Sequence, residues 1–488
     1  MSQTPPSFSR LWRVLVLLMI FGAAAGFTIT ADTWWHLRAG QWIWQHHRLP
    51  GTDPFSYTRQ GAAWHYPGWP AELLMYALVR VGGLGALNIA VALTITATWW
   101  VVWRTMRPQH EEISNGSVIV LAALASGVYW GARPYLVTFF LSAVFLWLLA
   151  REKQRPGRAV WWLPVLMVVW VNSHGAFVMG LVWWGVYWLA AGLRWLWSRA
   201  VLQQPPPPQT LRAWKKLTLL GVALLVAALL NPYGAEMLAY PFKTVKIHTL
   251  YHIAEWRSPD FHQPALLPFL ALLLATLLSL GASSTPLTAE EAFLLAGSVF
   301  LALSAVRNVA LAAVVLAPIV ARHTAAWLEA LRAARPRPQQ RAPVAHPRLN
   351  LALVALVAFF ALGRAGVMAT PQVNRIEVAR AFPVAAVQTL KSRHPQGRLF
   401  NDYNWGGYLL WAAPDYPVFI DGRTDLYGDT LIRQWAHIMA AEPGWEALLD
   451  QWHVRVVLIR RDAPLAQRLP ARGWRLLYQD ARSVLYVR

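Results

Sequence analysis

Long apolar runs recur along this chain, and polar residues gather between them. Unbroken runs, rather than the alternation of a half-buried strand, predict helices that cross a membrane. The spans read from the pattern are Leu11–Thr30, Leu84–Met106, Ser117–Tyr129, Val137–Ala150, Val160–Val171, Phe177–Leu193, Leu217–Leu230, Ala265–Leu280, Glu291–Leu303, Val309–Ala321 and Leu349–Val367. That is about eleven, several of them short for a bilayer. The polar segment after the first run opens with Asp32-Thr33-Trp34-Trp35-His36-Leu37-Arg38 and continues through Asp53-Pro54-Phe55-Ser56-Tyr57-Thr58 to Trp64-His65-Tyr66-Pro67-Gly68-Trp69-Pro70-Ala71-Glu72. Trp and Tyr favour the headgroup layer, so this loop is expected to hold a helix lying in the interface plane.

After Val367 the pattern changes. Arg398–Asp402, Val418–Asp421 and Val454–Arg460 read as short strands, and Trp474–Asp480 with Ser483–Arg488 alternate like a closing hairpin. Helical stretches lie between them at Gly407–Trp411, Thr430–Ala441 with Trp445–Trp452, and Pro464–Leu469. Strands alternating with helices predict a small open α/β sheet. In such sheets ligands meet loops at the carboxyl ends of strands, here 401–407 and 421–425. The expected fold is therefore an α-helical polytopic membrane protein with a small C-terminal α/β extracytoplasmic domain. Residues 1–368 hold the spans, with a first outside loop at 31–83, and 369–488 form the domain.

Composition agrees with the pattern. The chain has 488 residues, 56% of them hydrophobic and 14% charged, against about 25% charged in soluble domains. The first run is long and lacks a small-residue cleavage site followed by a soluble domain, so it reads as an anchor rather than a removable signal. There is no cysteine, which excludes a disulfide framework, a thiolate metal site and a thiol nucleophile.

The net charge of +21 falls in particular loops, which favours membrane topology over nucleic-acid binding. With the N-terminus in the cytoplasm, inside loops hold Arg10, Arg13, Arg104, Arg107, Arg151, Lys153, Arg155, Arg158, Arg194, Arg199, Arg212, Lys215, Lys216, Arg322, Arg332, Arg335, Arg337, Arg341 and Arg348. Outside loops hold fewer: Arg38, Arg48, Arg59, Arg133, Lys243, Lys246, Arg257 and Arg307. This is the positive-inside bias of a plasma-membrane protein, and an odd span count puts the tail outside. The proline-rich Gln203–Gln209 and the Pro/Arg-rich Arg335–Arg348 read as cytoplasmic linkers.

Candidate chemistry collects at the outside ends of spans. Asp32 stands at the mouth of the first, where aromatic, partly desolvated surface raises a carboxyl pKa and suits a general base. On a helix His36 shares its face, as orienting group or as part of a weak metal site. His46 and His47 with Asp53 are a second conceivable ligand set, without a strong zinc spacing.

Asn172-Ser173-His174-Gly175 separates two spans and reads equally as a tight turn in interfacial water. Asn231-Pro232-Tyr233-Gly234 reads as a helix stop, opening a loop that carries Glu255 and Asp260. Arg307-Asn308 lies between two apolar runs. Arginine at bilayer depth costs about 2.5–3.5 kcal/mol and usually has a partner, though near a span end it snorkels cheaply. A phosphate-bearing lipid fits, because guanidinium binds phosphate bidentately. In the tail, Asp421-Gly422-Arg423 reads as a site loop or as a turn with an internal salt bridge, and Trp405-Gly406-Gly407 as a site loop or a turn needing glycine.

This arrangement resembles the GT-C superfamily of polytopic glycosyltransferases. The shared features are an acid just after the first span, a membrane-surface helix beside it, and many spans with a basic inside. The oligosaccharyltransferase branch adds a C-terminal domain outside, with a Trp-Trp-Asp-Tyr-Gly motif of which Asn401-Asp402-Tyr403-Asn404-Trp405-Gly406-Gly407-Tyr408 is a loose echo. The chain also resembles an uncharacterised group of bacterial multispan proteins with the same Asp-x-Trp-Trp-His and Phe-Ile-Asp-Gly-Arg signatures, to which a transferase role is assigned by prediction.

The resemblance implies inverting transfer of a sugar from a polyprenyl-phosphate-linked donor to a glycan, lipid or protein acceptor outside the membrane. Asp32 would be the base, with His36 beside it. Arg307, Asn308 and His174 would hold the donor phosphate. Asp53, Trp69, Glu72, Glu255, Asp402, Tyr403, Trp405, Asp421 and Arg423 would be acceptor-side or other contacts. No cofactor is assigned. A divalent Mg or Mn ion stays an open expectation, with Glu255 and Asp260 the nearest partners for Asp32. A polysaccharide ligase or polymerase would use the same residues. A transporter or scaffold is the non-enzymatic alternative, against which stand the absence of a clear internal repeat and the gathering of polar groups near one face.

Overall fold

The computed structural model describes residues 8–106, 112–203, 207–245, 247, 254–334 and 347–488. Arg107, Lys246, Arg335, Arg337 and Arg341 of the expected loops lie outside these residues, as do Gln204, Pro205 and Pro206 of the first linker. In chain order the helices are α1 (Phe8–Ala24), α2 (Ala31–His46), α3 (Trp69–Thr105), α4 (Glu112–Ser126), α5 (Tyr135–Gln154), α6 (Trp162–Ser173) and α7 (Val178–Ala200). They continue with α8 (Pro208–Ala228), α9 (Glu236–Val245), α10 (Leu267–Ala282), α11 (Ala289–Ser304), α12 (Val309–Ala333) and α13 (Pro347–Ala369).

Every span read from the sequence falls on one of these helices. By length and composition, 7 stretches are able to cross a membrane among the described residues. The remaining helices are shorter or more polar, so the figure of about eleven stays an expectation. In α12, Ala310, Ala312, Ala313 and Ala317 are buried on all sides. Small side chains of this kind let α4, α10 and α11 pack close around it.

Two boundaries differ from the pattern. The first helix stops at Ala24 rather than Thr30, and the six residues that follow are tied to α3 and to the start of α2 instead. Thr28 gives its backbone N–H and hydroxyl to Asn88 Oδ1 at 3.1 and 2.7 Å, and Thr30 N–H bonds Thr33 Oγ1 at 2.9 Å to start α2. Helix α3 is broken at Gly82-Gly83, where Gly83 takes φ +63°, a conformation open to glycine. The part after the break is the expected span beginning at Leu84.

The tail holds α14 (Pro371–Ala381), α15 (Val384–Arg393), β1 (Arg398–Asn401), α16 (Tyr403–Ala412), α17 (Thr424–Met439), α18 (Trp445–Gln451), β2 (Val454–Arg460), α19 (Pro464–Arg468), β3 (Arg475–Gln479) and β4 (Ser483–Val487). Sheet order is β1-β2-β4-β3, with β1 parallel to β2 and the β3–β4 hairpin antiparallel.

The expected strand at Val418–Asp421 is not in the sheet. Asn401 takes its place in the hydrogen bonding: its side chain accepts from Phe419 N–H at 2.9 Å and donates to Ile420 O at 2.8 Å. The other edge of the segment is taken by the first loop, through Tyr57 N–H to Val418 O at 3.3 Å and Thr58 Oγ1 to Phe419 O at 2.6 Å. The tail is thus stitched to the loop. Helix α16 lies on α2, where Gly407 is so close that a Cβ would stand 2.5 Å from Ala31 O.

Candidate functional site

A helix start, a loop and two short 3₁₀ turns bring four charges into one chain. Asp32 stands in the first turn of α2. Arg133 lies just before α5, in a segment pinned to the start of α2 by Ala132 N–H to Thr28 O at 2.8 Å and Thr33 Oγ1 to Ala132 O at 2.9 Å. Glu255 and Arg307 sit in the turns Ala254–Trp256 and Val306–Asn308. Those turns are joined by Val306 N–H to Arg257 O at 2.9 Å.

Arg133 Nη1 donates to Asp32 Oδ2 at 2.9 Å and to Glu255 Oε2 at 3.1 Å. Tyr129 O–H donates to the same Glu255 oxygen at 2.8 Å. Arg307 reaches Glu255 Oε1 only at 3.6 Å, with its plane 4.1 Å from the Trp256 ring centroid. Among the described residues, that leaves the arginine's fork without a hydrogen-bond acceptor. The side chains of Asp32 and Glu255 are each 28% exposed, against 15% for Arg133 and 22% for Arg307, so the chain stays partly open to solvent.

The charges set one another's states. Burial raises the Asp32 carboxyl above its ordinary value, with Arg133 pulling the other way. Burial also pushes Glu255 up, but Arg307 and Arg133 together overcome it and hold it at about 2. Burial, then Arg307 and Arg133, press His174 down to about 3. Its Nδ1 accepts from Ala176 N–H at 3.3 Å and is 2.8 Å from Thr138 Oγ1, which itself accepts from Trp170 N–H at 2.7 Å. Nδ1 is therefore the acceptor nitrogen, and the neutral ring carries its proton on Nε2.

The tail closes one wall. A Cβ on Gly422 would stand 2.0 Å from Asp32 Oδ1, and Tyr403 bonds Thr424 through its hydroxyl at 2.7 Å. Asp425, beside them, accepts from Tyr240 O–H at 3.0 Å.

Other residues expected at the site stand elsewhere. His36 does not join Asp32. It pairs with Glu72 at 3.0 Å, both buried, because its ring is turned inward beside Trp35. Arg423 bonds Asp421 at 2.7 and 2.9 Å and Asp53 at 2.6 Å, with none of these ion-paired side chains exposed. Trp64 and Phe55 cover its guanidinium at 4.7 and 5.2 Å. This trio fastens tail to loop and has no surface for an acceptor.

Asp402 caps α16 and pairs with Arg460 at 2.9 Å, and Trp405 is buried in the packing against α2. Asn308 bonds Leu301 O at 3.0 Å and closes the turn after α11. Trp69 donates to Asn172 Oδ1 at 3.1 Å and lines a mostly apolar groove of about 590 Å³ with Trp44, Arg48 and Leu73. Asp260 pairs with exposed His262 at 2.9 Å.

Arg133 was legible only as an outside charge. The reasoning applied to Arg307, an arginine at the outer end of a span, applies to it equally, and the following Pro134 marks the helix start. A separate cavity of about 470 Å³, lined by Lys153, Glu290, Glu291 and Arg322, lies at the far end of α5, about 30 Å away by helix rise. Convergent charge, not cavity size, marks the cleft.

Solved structures of other proteins share this fold. One is an archaeal oligosaccharyltransferase, AglB from Archaeoglobus fulgidus in complex with an inhibitory peptide and a dolichol-phosphate: TM-score 0.56, 12% identity, 93% of this chain and 70% of that one. ArnT from Cupriavidus metallidurans bound to undecaprenyl phosphate matches with TM-score 0.52 at 14% identity, over 97% of both chains. The arabinofuranosyltransferase AftD from Mycobacteria matches all of this chain and 40% of that one, with TM-score 0.51 at 16% identity. No family model matches the chain, and no curated protein matches it in sequence.

Proposed function

We propose that this protein is an inverting membrane glycosyltransferase, moving a sugar from a polyprenyl-phosphate-linked donor to an acceptor on the outer face of the plasma membrane. The observation that carries the reading is the chain Asp32–Arg133–Glu255–Arg307, partly exposed at one end of the helical bundle. The GT-C fold supports it, since two of the matching structures hold polyprenyl-type phosphates. The positive-inside bias supports an inside N-terminus and an outside tail.

In the reaction proposed, the acceptor hydroxyl oxygen attacks the anomeric carbon from the face opposite the phosphate. Asp32 takes the hydroxyl proton as the new carbon–oxygen bond forms. The bond from the anomeric carbon to the phosphate oxygen breaks, and its electron pair leaves on the polyprenyl phosphate. Arg307, whose donors find no hydrogen-bond acceptor among the described residues, and His174, with its proton on Nε2, meet the growing negative charge. Tyr403, Gly422 and Thr424 form the acceptor-side wall. Domain 369–488 orients the acceptor while its buried ionic trio keeps it seated.

The test is mass spectrometry of lipids retained by purified wild-type protein and by Arg307→Ala, each offered polyprenyl-phosphate sugars. Wild type is expected to keep a glycosyl-phospholipid that the variant loses. Equal retention by two folded proteins would sink the donor site.

A further inference from the structure

The implied divalent ion can be tested against the groups present. Its expected ligands would be Asp32 and an acid of a later outside loop, and Glu255 does come to Asp32. Arg133 already stands between them, giving one Nη1 to both carboxylates at 2.9 and 3.1 Å. Tyr129 holds it there from two sides, stacking under the guanidinium at 4.4 Å and bonding Glu255 at 2.8 Å. The cluster is two carboxylates against two guanidinia, so its formal charge is already balanced. A dication would have to displace a fixed cation and then sit beside Arg307 in a partly desolvated cleft, where like charges repel strongly. Among the described residues, no group of ≥ 3 His, Cys, Asp or Glu gathers to hold a metal. With Arg133 in place, the residues do not fit the ion.

We propose that Arg133 is the resident cation of this site, filling the position between Asp32 and Glu255 that a divalent ion would take, so that the carboxylate pair takes up no Mg2+ or Mn2+ while Arg133 is in place. Arg133 is then a positioning residue for the transfer proposed above. It holds Oδ2 of Asp32, while Oδ1 takes the Trp35 N–H at 3.3 Å and stands against Gly422 of the tail wall. The inference concerns the same site but is tested without the transfer, so failure of one does not entail failure of the other.

The experiment is Mn2+ titration of the purified full chain, followed by electron paramagnetic resonance, with thermal unfolding as the check on folding. Wild type and Arg133→Lys, which keeps the charge, are expected to take up no Mn2+ at the pair. Arg133→Gln is expected to take up one Mn2+ per chain, lost again in the double variant with Asp32→Asn. Arg133→Met, which keeps the contact with Tyr129, replaces the glutamine variant if that one does not fold. One Mn2+ bound by wild type and lost in Asp32→Asn would overturn the proposal. So would a folded Arg133 variant without the positive charge that takes up none.

Discussion

Arg133 and Arg423 have the same chemistry and opposite settings. Each is an arginine holding two carboxylates drawn from separate parts of the chain. Around Arg423 the side chains of Asp53 and Asp421 are wholly buried; around Arg133 those of Asp32 and Glu255 are 28% exposed. A fully buried trio fixes one arrangement of loop and tail and offers nothing to a ligand. The partly open one keeps, at Arg307, guanidinium donors without a hydrogen-bond acceptor among the described residues. Exposure, not residue type, separates fastening from chemistry here.

The contrast breaks most readily at the fastening. Arg423→Ala strands two buried carboxylates, and removing one partner of such a set costs about 3–5 kcal/mol. Thermal unfolding should shift down sharply, and activity should fall with the folded fraction. A variant of unchanged stability would show that the trio fastens nothing.

Asp32→Asn should do the reverse, removing the proposed general base, whose role is worth about 10²–10⁴ in rate, while leaving the unfolding curve near wild type. Full transfer by that variant would remove Asp32 from the mechanism.

Gly422→Ala tests the seam between the two regions, because the new Cβ would stand 2.0 Å from Asp32 Oδ1. A base misplaced by about 1 Å can lose about 10² in rate. Transfer should drop by that order with little change in donor-lipid retention. Unchanged transfer would place the acceptor elsewhere.

The smallest effect is in pH. Burial raises Asp32 above 3.8, so the rate should fall on the acid side at a pH above that value, as the base is protonated. Glu255 runs the other way: its carboxyl is held at about 2 instead of 4.5. The stability this gives is in place above about pH 4.5 and lost only as pH falls toward 2. Glu255→Gln should therefore leave an acid limb in the rate profile, whereas an acid limb that vanishes in that variant would assign the titration to Glu255.

Periodicity made the helices legible, because a bilayer demands long apolar runs and self-satisfied backbones. It also found β1, β2 and the closing hairpin, whose hydrogen bonds come from their own sheet. It misread Val418–Asp421, since the bonds of that segment come from a side chain, Asn401, and from a loop more than 300 residues away. Asp32 and Arg307 were legible as charges at span ends. The pairing of His36 with Glu72 was not, because helical spacing tells which residues share a face and not which neighbour that face meets.

The sequence by itself determined a multispan helical bundle, an aromatic loop after the first span and a small mixed domain at the end. Those follow from local pattern and from the cost of exposing polar backbone to lipid. Tertiary structure alone decided which arginine serves which acids, seating Arg423 in a closed box and Arg133 in a partly exposed cluster. Charge identity is written in the residue, but its partners and its access to solvent are set by packing between distant segments.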